Sequence, residues 1–223
     1  MEIFFFMKNV NPKISIIMTI YNHEKFLKKS IQSIINQSFR NWELVAVDNG
    51  SNDNSRKILN SINDKRVKKF YLKKNIGRTN CLNFSLKKCK GKLVAINDSD
   101  DISDKDRLKN QFNYFKKNDN CQFLASNYIL NDKKRKIKIR TDTFNLIKNR
   151  RKILFENYIA HSSVMYTKKI IKKLGGYPKN YRYSQDYMFY LKIYLINEIH
   201  IINKYLVAIN FNHENTETNR LLY

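Results

Sequence analysis

Five of the 19 acidic residues, Asp98, Asp100, Asp101, Asp104 and Asp106, lie within nine positions of a 223-residue chain whose formal charge is +24. An even spread would put fewer than one there. A basic chain that gathers its carboxylates has a use for them. Clustered oxygen ligands suit a hard divalent cation, Mn2+ or Mg2+, which bridges phosphates and acts as a Lewis acid on a diphosphate. In Asp98-Ser99-Asp100 an extended backbone would put both aspartates on one side and turn Asp101 away. The plain alternative is an acidic turn capping the next helix, since Asp is favoured at N-caps. Two further segments end in polar residues after apolar runs: Thr19-Ile20-Tyr21-Asn22 and Val47-Asp48. Arg78, after Gly77, is placed to reach a phosphate or simply to face water. GxGxxG and GxxxxGK[ST] are both absent, so dinucleotide and P-loop readings lose their main support.

The elements that position these residues follow from periodicity. Ile14–Ile20 is short and β-branched, a buried strand. Phe26, Leu27, Ile31, Ile34 and Ile35 recur at helical spacing, giving a helix over Glu24–Asn36. Trp42–Val47 is a second strand, so strand, helix and strand form a parallel βαβ unit. The pattern repeats with a helix to Ile62, strand Val67–Leu72, helix Thr79–Lys88, strand Lys92–Ile96 and a helix through Leu108, Phe112 and Phe115. Beyond it, Gln122–Leu130 and Lys134–Ile139 read as a hairpin around Asn131-Asp132. Then come a helix over Phe144–Glu156, a strand over Ala160–Tyr166, a basic helix Lys168–Leu174, a helix Ser184–Ile196 and an extended segment Ile199–Phe211. The reading is one α/β domain with a mostly parallel, Rossmann-like central sheet flanked by helices. Residues 14–120 form a nucleotide-binding half and 121–211 an acceptor-side half. Ligands of such sheets bind outside the carboxyl ends of the strands, where Thr19–Asn22, Asp48 and Asp98–Asp101 all fall.

The run Ile14–Asn22, Asp48-Asn49-Gly50-Ser51-Asn52-Asp53, Asn75-Ile76-Gly77, Asp98-Ser99-Asp100-Asp101, Arg107–Gln111, Gly175-Gly176-Tyr177 and Gln185-Asp186-Tyr187 resembles the family 2 glycosyltransferases of GT-A fold. Each motif is weak alone; seven in order over residues 14–195 are specific. The resemblance implies inverting transfer of a sugar from a nucleotide diphosphate, UDP foremost, to an acceptor hydroxyl. By position it implies that Thr19, Tyr21, Asn22 and Asp48 contact base and ribose, with Arg78, Asp98 and Ser99 also on the nucleotide-sugar. Asp100 would hold Mn2+ or Mg2+, and Asp186 would be the base. A carboxylate suffices there, because the acceptor hydroxyl becomes acidic only as its bond forms. The first helical turn, near the positive helix end, favours its charge. An N-terminal helix acid without chemistry is the alternative. Gln185 stands where many relatives have Glu, and Ile96-Asn97 where a related branch has Arg and Met. His213 is a candidate metal ligand or a surface residue, and His161 borders an acceptor pocket or is a hydrogen-bonded histidine at a strand start.

The resemblance also implies a glycan or lipid-linked acceptor, made in surface polysaccharide synthesis. The chain carries 43 Lys+Arg and 42% hydrophobic residues, too apolar for disorder. Its pI near 9.9 invites a nucleic-acid partner. Lys-, Asn- and Ile-rich composition has a simpler source in A/T-rich codons, and gathered carboxylates would repel a phosphate backbone; no nucleic acid is expected. Residues 133–140 hold six basic residues in eight, a solvated hairpin or a contact for anionic lipid. Three cysteines without CxxC spacing favour a reducing compartment. No apolar run approaches the ~20 residues of a membrane span. The expected location is cytoplasmic, with peripheral contact at the membrane's cytoplasmic face. Residues 1–11 fit no motif. The competing readings are a nucleic-acid- or membrane-binding module, an inactive relative, and a sugar nucleotidyltransferase, which usually needs a Gly- and Lys/Arg-rich loop where Tyr21-Asn22-His23-Glu24 stands.

Overall fold

The structure, a computed structural model, describes residues 11–132, 136–139, 141, 153–181 and 183–211. Strand β1 (Ile14–Ile20) shows the period of two that a sheet imposes. Ile14, Ile16, Met18 and Ile20 face one core, and Ile17 faces the other. β2 (Trp42–Asp48) is buried at every position, and so is β4 (Leu93–Ile96). Strands covered on both faces must be apolar throughout, as central parallel strands are. β3 (Val67–Tyr71) lies outside β2 and carries two lysines.

Helices α1 (Glu24–Ile35), α2 (Ser55–Ser61) and α4 (Arg107–Lys117) cover one face, where Leu27, Ile31, Ile34, Leu59 and Leu108 pack on Ile16, Met18, Leu44 and Ala46. Helices α3 (Arg78–Lys88), α5 (Lys168–Leu174) and α6 (Gln185–Ile196) cover the other, where Leu82, Leu86, Ile170, Phe189 and Ile193 meet Ile17, Val45, Val47 and Ile96. Each core removes more than ten apolar side chains from water, at about 1.5–3 kcal/mol for a fully buried large aliphatic or aromatic one.

The sheet order is β3-β2-β1-β4-β8-β6-β9-β5, with β7 (Lys136–Ile139) on β6 (Phe123–Asp132). β1, β2, β3 and β4 pair in parallel, as does β6 with β9 (Ile199–Phe211). β8 (Met165–Thr167) is antiparallel to both β4 and β6, and joins the two halves into one sheet. Parallel pairing therefore dominates, as the sequence implied, and no separate second sheet exists among the described residues.

Three expectations are corrected. The Ala160–Tyr166 strand is a 3-10 turn over His161–Ser163 followed by a three-residue β8. The Ser163 hydroxyl donates to Ala160 O at 2.8 Å, and Ser162 bonds Asp98 and Asp101. Such side-chain bonds compete with a strand ladder. The acidic run is not extended, because Asp101 N–H donates to Asp98 O at 3.1 Å and closes a turn. It leads to a two-residue strand β5 (Ile102–Ser103), too short for any periodicity to announce. The hairpin turn moves past Asn131-Asp132, because β6 runs through Asp132. Residues 133–135 and 140 of the basic segment, residues 1–10 and His213 lie outside the described residues, as does most of the helix expected over 144–156. Its end, 153–156, is not α-helical. No helix among the described residues is long and apolar enough to cross a membrane.

Candidate active site

The carboxyl ends of β1, β2 and β4 carry the polar residues. After β1 the chain turns through Asn22, at φ 55°. Asn tolerates that left-handed conformation better than most side chains. The Asn22 side-chain oxygen accepts from Asn52 N–H at 2.8 Å, and Asn22 N–H donates to the Ser51 hydroxyl at 3.1 Å. Tyr21 is left 41% exposed beside this junction. The second loop is tied to the third in the same way. Asn49 donates to the Asn75 side chain at 3.0 Å and accepts from Ile76 N–H at 3.1 Å. Gly50, at φ 75°, fits because a Cβ would lie 2.6 Å from the Lys74 carbonyl carbon.

Asp48 at the end of β2 is fully buried. Its Oδ1 accepts from Ser51 N–H at 3.2 Å, and its Oδ2 accepts from Arg56 Nε and Nη2, both at 3.1 Å. Arg56 Cζ also lies 5.2 Å from the Tyr71 ring centroid.

Beyond β4, Asp98 and Asp100 are half-buried, whereas Ser99 and Asp101 point inward. Ser99 donates to Thr19 O at 3.1 Å, and its Oγ lies 2.6 Å from His23 Nδ1. Thus buried Ser99 ties the ends of β1 and β4 together through the Thr19 carbonyl, while Thr19 itself is half-buried. Asp101 takes the Ser162 hydroxyl and, at 3.0 Å, Asn210 N–H. Burial, then the charges of Asp100 and Asp98, push its carboxyl well above the usual range. Arg107, fully buried under this turn, donates to Ile96 O, Val164 O, Asn97 and Ser103. Burial lowers its pKa to about 9, so it stays protonated at neutral pH.

Arg78 opens α3. Its Nη2 lies 2.7 and 2.8 Å from the two oxygens of Asp98 and 3.1 Å from His161 Nδ1. Among the described residues nothing accepts from its Nε or Nη1. Burial opposes its charge, but Asp98, Asp186 and Asp100, in that order, hold its pKa above the ordinary value. Burial alone would raise the Asp98 carboxyl; the Arg78 guanidinium is the chief influence that overcomes it and holds Asp98 far below the usual range. Asp100 is raised by burial and by Asp98, with His23 and Arg78 opposing. Asp186 stands in the first turn of α6, where its Oδ1 accepts from Tyr187 N–H at 2.8 Å. Its charge acts on Arg78, Tyr177 and Tyr190. The fold therefore brings Asp98, Asp100, Asp186 and His161 around one guanidinium, and keeps Asp48 with Arg56 two strands away. His23 and Arg56 were not singled out by sequence reasoning, though His23 adjoins the β1 turn; Tyr177 stood in the Gly175-Gly176-Tyr177 motif without a role of its own.

Among the described residues no three His, Cys, Asp or Glu side chains converge as a metal cage. Within the 98–101 turn, Asp100 has the carboxylate that no other described side chain engages in a hydrogen bond. One such ligand suits Mg2+ or Mn2+ whose remaining ligands are phosphate oxygens and water. The residues present thus fit a cation that arrives with a diphosphate, not one held by protein alone.

The sequence profile described as Glycosyl transferase family 2 matches residues 15–175. An uncharacterized glycosyltransferase of Haemophilus influenzae is 43% identical over 109 residues, covering 48% of this chain and 44% of that protein. The O-antigen biosynthesis glycosyltransferase WbnJ of Escherichia coli is 33% identical over 186 residues, covering 81% of this chain and 71% of WbnJ. Among solved structures, S. aureus TarS 1-349 in complex with UDP-GlcNAc aligns with a TM-score of 0.78 at 24% identity, covering 91% of this chain and 60% of TarS 1-349. The chain thus spans less than two thirds of two of these three proteins, and TarS testifies to fold alone.

Proposed function

The chain belongs to glycosyl transferase family 2, and from that premise we propose that it transfers a sugar, with inversion, from a nucleotide diphosphate to an acceptor hydroxyl. The observation that carries this reading is the Arg78–Asp98 ion pair beyond the carboxyl end of β4, with Asp100 and Asp186 near enough for their charges to act on the same guanidinium. Three carboxylates and a guanidinium with two nitrogens open suit a diphosphate that brings its own cation. Asp100 would hold that Mn2+ or Mg2+, which as a Lewis acid offsets charge on the leaving diphosphate. Arg78 keeps Nη2 on Asp98 and offers Nη1–H as a single charge-assisted donor to a phosphate oxygen. Asp98 lies on the sugar and ribose side. Tyr21 is exposed for stacking on a base, with Asn22 beside it, while Asp48 and Arg56 close the pocket behind.

Asp186 supplies the base. Inversion in one displacement needs a proton acceptor on the face opposite the leaving group. Asp186 comes from the other half of the chain, on α6, while the nucleotide-binding residues come from β1, β2 and β4. The two roles therefore sit on separate elements. UDP is the first donor to test, and the acceptor class is a lipid-linked or surface glycan, as the O-antigen role in the name of WbnJ suggests. Such an acceptor goes with a cytoplasmic enzyme in peripheral contact with the membrane.

The test is thermal unfolding with UDP, GDP, CDP and TDP, each with and without Mn2+. A ligand at 100 times its Kd adds about 2.7 kcal/mol, a clear rise in Tm. A metal-dependent rise with one nucleotide is expected. No rise with any of the eight conditions would overturn the reading.

A further inference from the structure

Arg78 uses one prong of its fork for the protein, and what grips that prong is unusual. Nη2 lies within hydrogen-bond reach of both Asp98 oxygens and, at 3.1 Å, of His161 Nδ1. Nδ1 also lies 3.3 Å from Asp98 Oδ1. A guanidinium only donates, and its approach to Nδ1 is the shorter of the two, which assigns Nδ1 a lone pair toward Arg78. The His161 proton is then on Nε2, which lies 3.0 Å from the Tyr177 hydroxyl. Tyr177 in turn lies 3.0 Å from the Tyr166 hydroxyl. His161 is 7% exposed and Tyr177 2%. Burial keeps both phenols neutral. The Tyr177 backbone is itself clamped to α3: Asn83 donates to Tyr177 O and accepts from Tyr177 N–H, both at 2.9 Å. Hence Asn83 and Arg78, on the same helix, are tied to two separate turns, those of Tyr177 and His161, which meet through the Nε2–hydroxyl contact.

We propose that His161 is the positioning residue for Arg78, and that Tyr177 fixes the imidazole so that its Nδ1 stays an acceptor. The inference rests on the reading of Arg78 as a diphosphate contact. An Arg side chain carries about 2 kcal/mol of rotamer entropy, which an anion would otherwise have to overcome on binding. With Nη2 held on two sides, the guanidinium plane is fixed and Nη1 is already oriented for a phosphate oxygen. Without His161, Asp98 alone could still hold the charge, but the guanidinium plane would turn about that single contact.

A double-mutant cycle on UDP binding, measured by calorimetry with Mn2+ on the full chain, tests this. His161→Ala is expected to weaken UDP roughly tenfold, and Arg78→Ala to weaken it at least as much; the pair should be no weaker than Arg78→Ala alone, as for coupled neighbours. Tyr177→Phe keeps the ring and its packing. It should give a smaller loss, again absent when Arg78 is already Ala, and it serves if His161→Ala does not fold. Losses that add in the double variant would overturn positioning while leaving the transferase reading intact. Failure of the unaltered chain to bind any nucleotide would overturn both.

Discussion

At the scale of single residues, the carboxylates differ in what surrounds them, and the differences assign separate tests. Asp186 touches only its neighbour's backbone N–H among the described residues, so changing it leaves the rest of the cluster in place. Asp186→Asn is expected to keep UDP binding and lose turnover by about 10²–10⁴-fold, the usual weight of a positioned base. Initial rates beside calorimetric Kd values check it, and normal turnover would end the base assignment. Asp100→Asn should do the reverse at the binding step. It removes the open carboxylate of the 98–101 turn, so nucleotide affinity should fall and lose its dependence on Mn2+. Parallel titrations with and without metal decide that. A wholly buried Asp48 held by Arg56 was not legible from composition. In the sequence Arg56 is one of 43 basic residues, and only the turn after β2 brings it back over Asp48.

At the scale of elements, the parallel half was legible because its strands are short, mostly apolar runs and its helices keep a 3.6-residue period. The first three strand–helix units and β4 lie within two residues of their expected bounds, and α4 carries Leu108, Phe112 and Phe115 as expected. The stretch from 98 to 103 and the stretch from 160 to 167 were not, because side chains override periodicity there. Ser162 and Ser163 replace ladder bonds with their own, and Arg107 reaches from α4 to the carbonyl of Ile96 in β4 and that of Val164 just before β8. That guanidinium is the platform for the acidic turn. Arg107→Met would take a donor from five acceptors, two of them backbone carbonyls, and leave Asp101 without its nearby counter-charge. Removing one member of such a buried set costs about 3–5 kcal/mol. The urea midpoint should drop accordingly, and UDP affinity should fall with it because Asp98 and Asp100 ride on the same turn. An unchanged midpoint would show that the turn is held by other means. Gly50→Ala belongs to the same scale. The added Cβ would meet Lys74 and Asn75 backbone within 2.8 Å, and φ 75° is itself strained for alanine. Because Asn49 next to it ties the two loops, the variant should lose stability by more than the ~1 kcal/mol of an ordinary surface change.

At the scale of the molecule, charge and thiols are set by what the fold covers. All three cysteines are free and buried, and burial pushes each pKa to about 12. A thiol with so little thiolate at pH 8 reacts only when the chain opens. An aromatic disulfide reagent should therefore label none of them quickly in the native protein and all three in denaturant; rapid native labelling would contradict the packing of α3 on the sheet. Charge acts in the opposite direction, because the chain carries a formal +24 while Asp48, Asp101 and Glu43 are buried. Their negative charge is engaged inside, by Arg56, by Ser162 and Asn210, and by Ser15, and cannot pair with the exposed lysines. The outer shell is thus more uniformly positive than the composition indicates, and self-repulsion opposes compaction. Screening shortens from about 30 Å at 0.01 M salt to about 8 Å at 0.15 M. The Tm should rise across that range instead of falling, as it would if surface ion pairs held the fold. The association rate of UDP should fall over the same range, since the same field draws a dianion in. A Tm that drops with salt while UDP association stays constant would show that neither stability nor encounter is governed by the surplus charge.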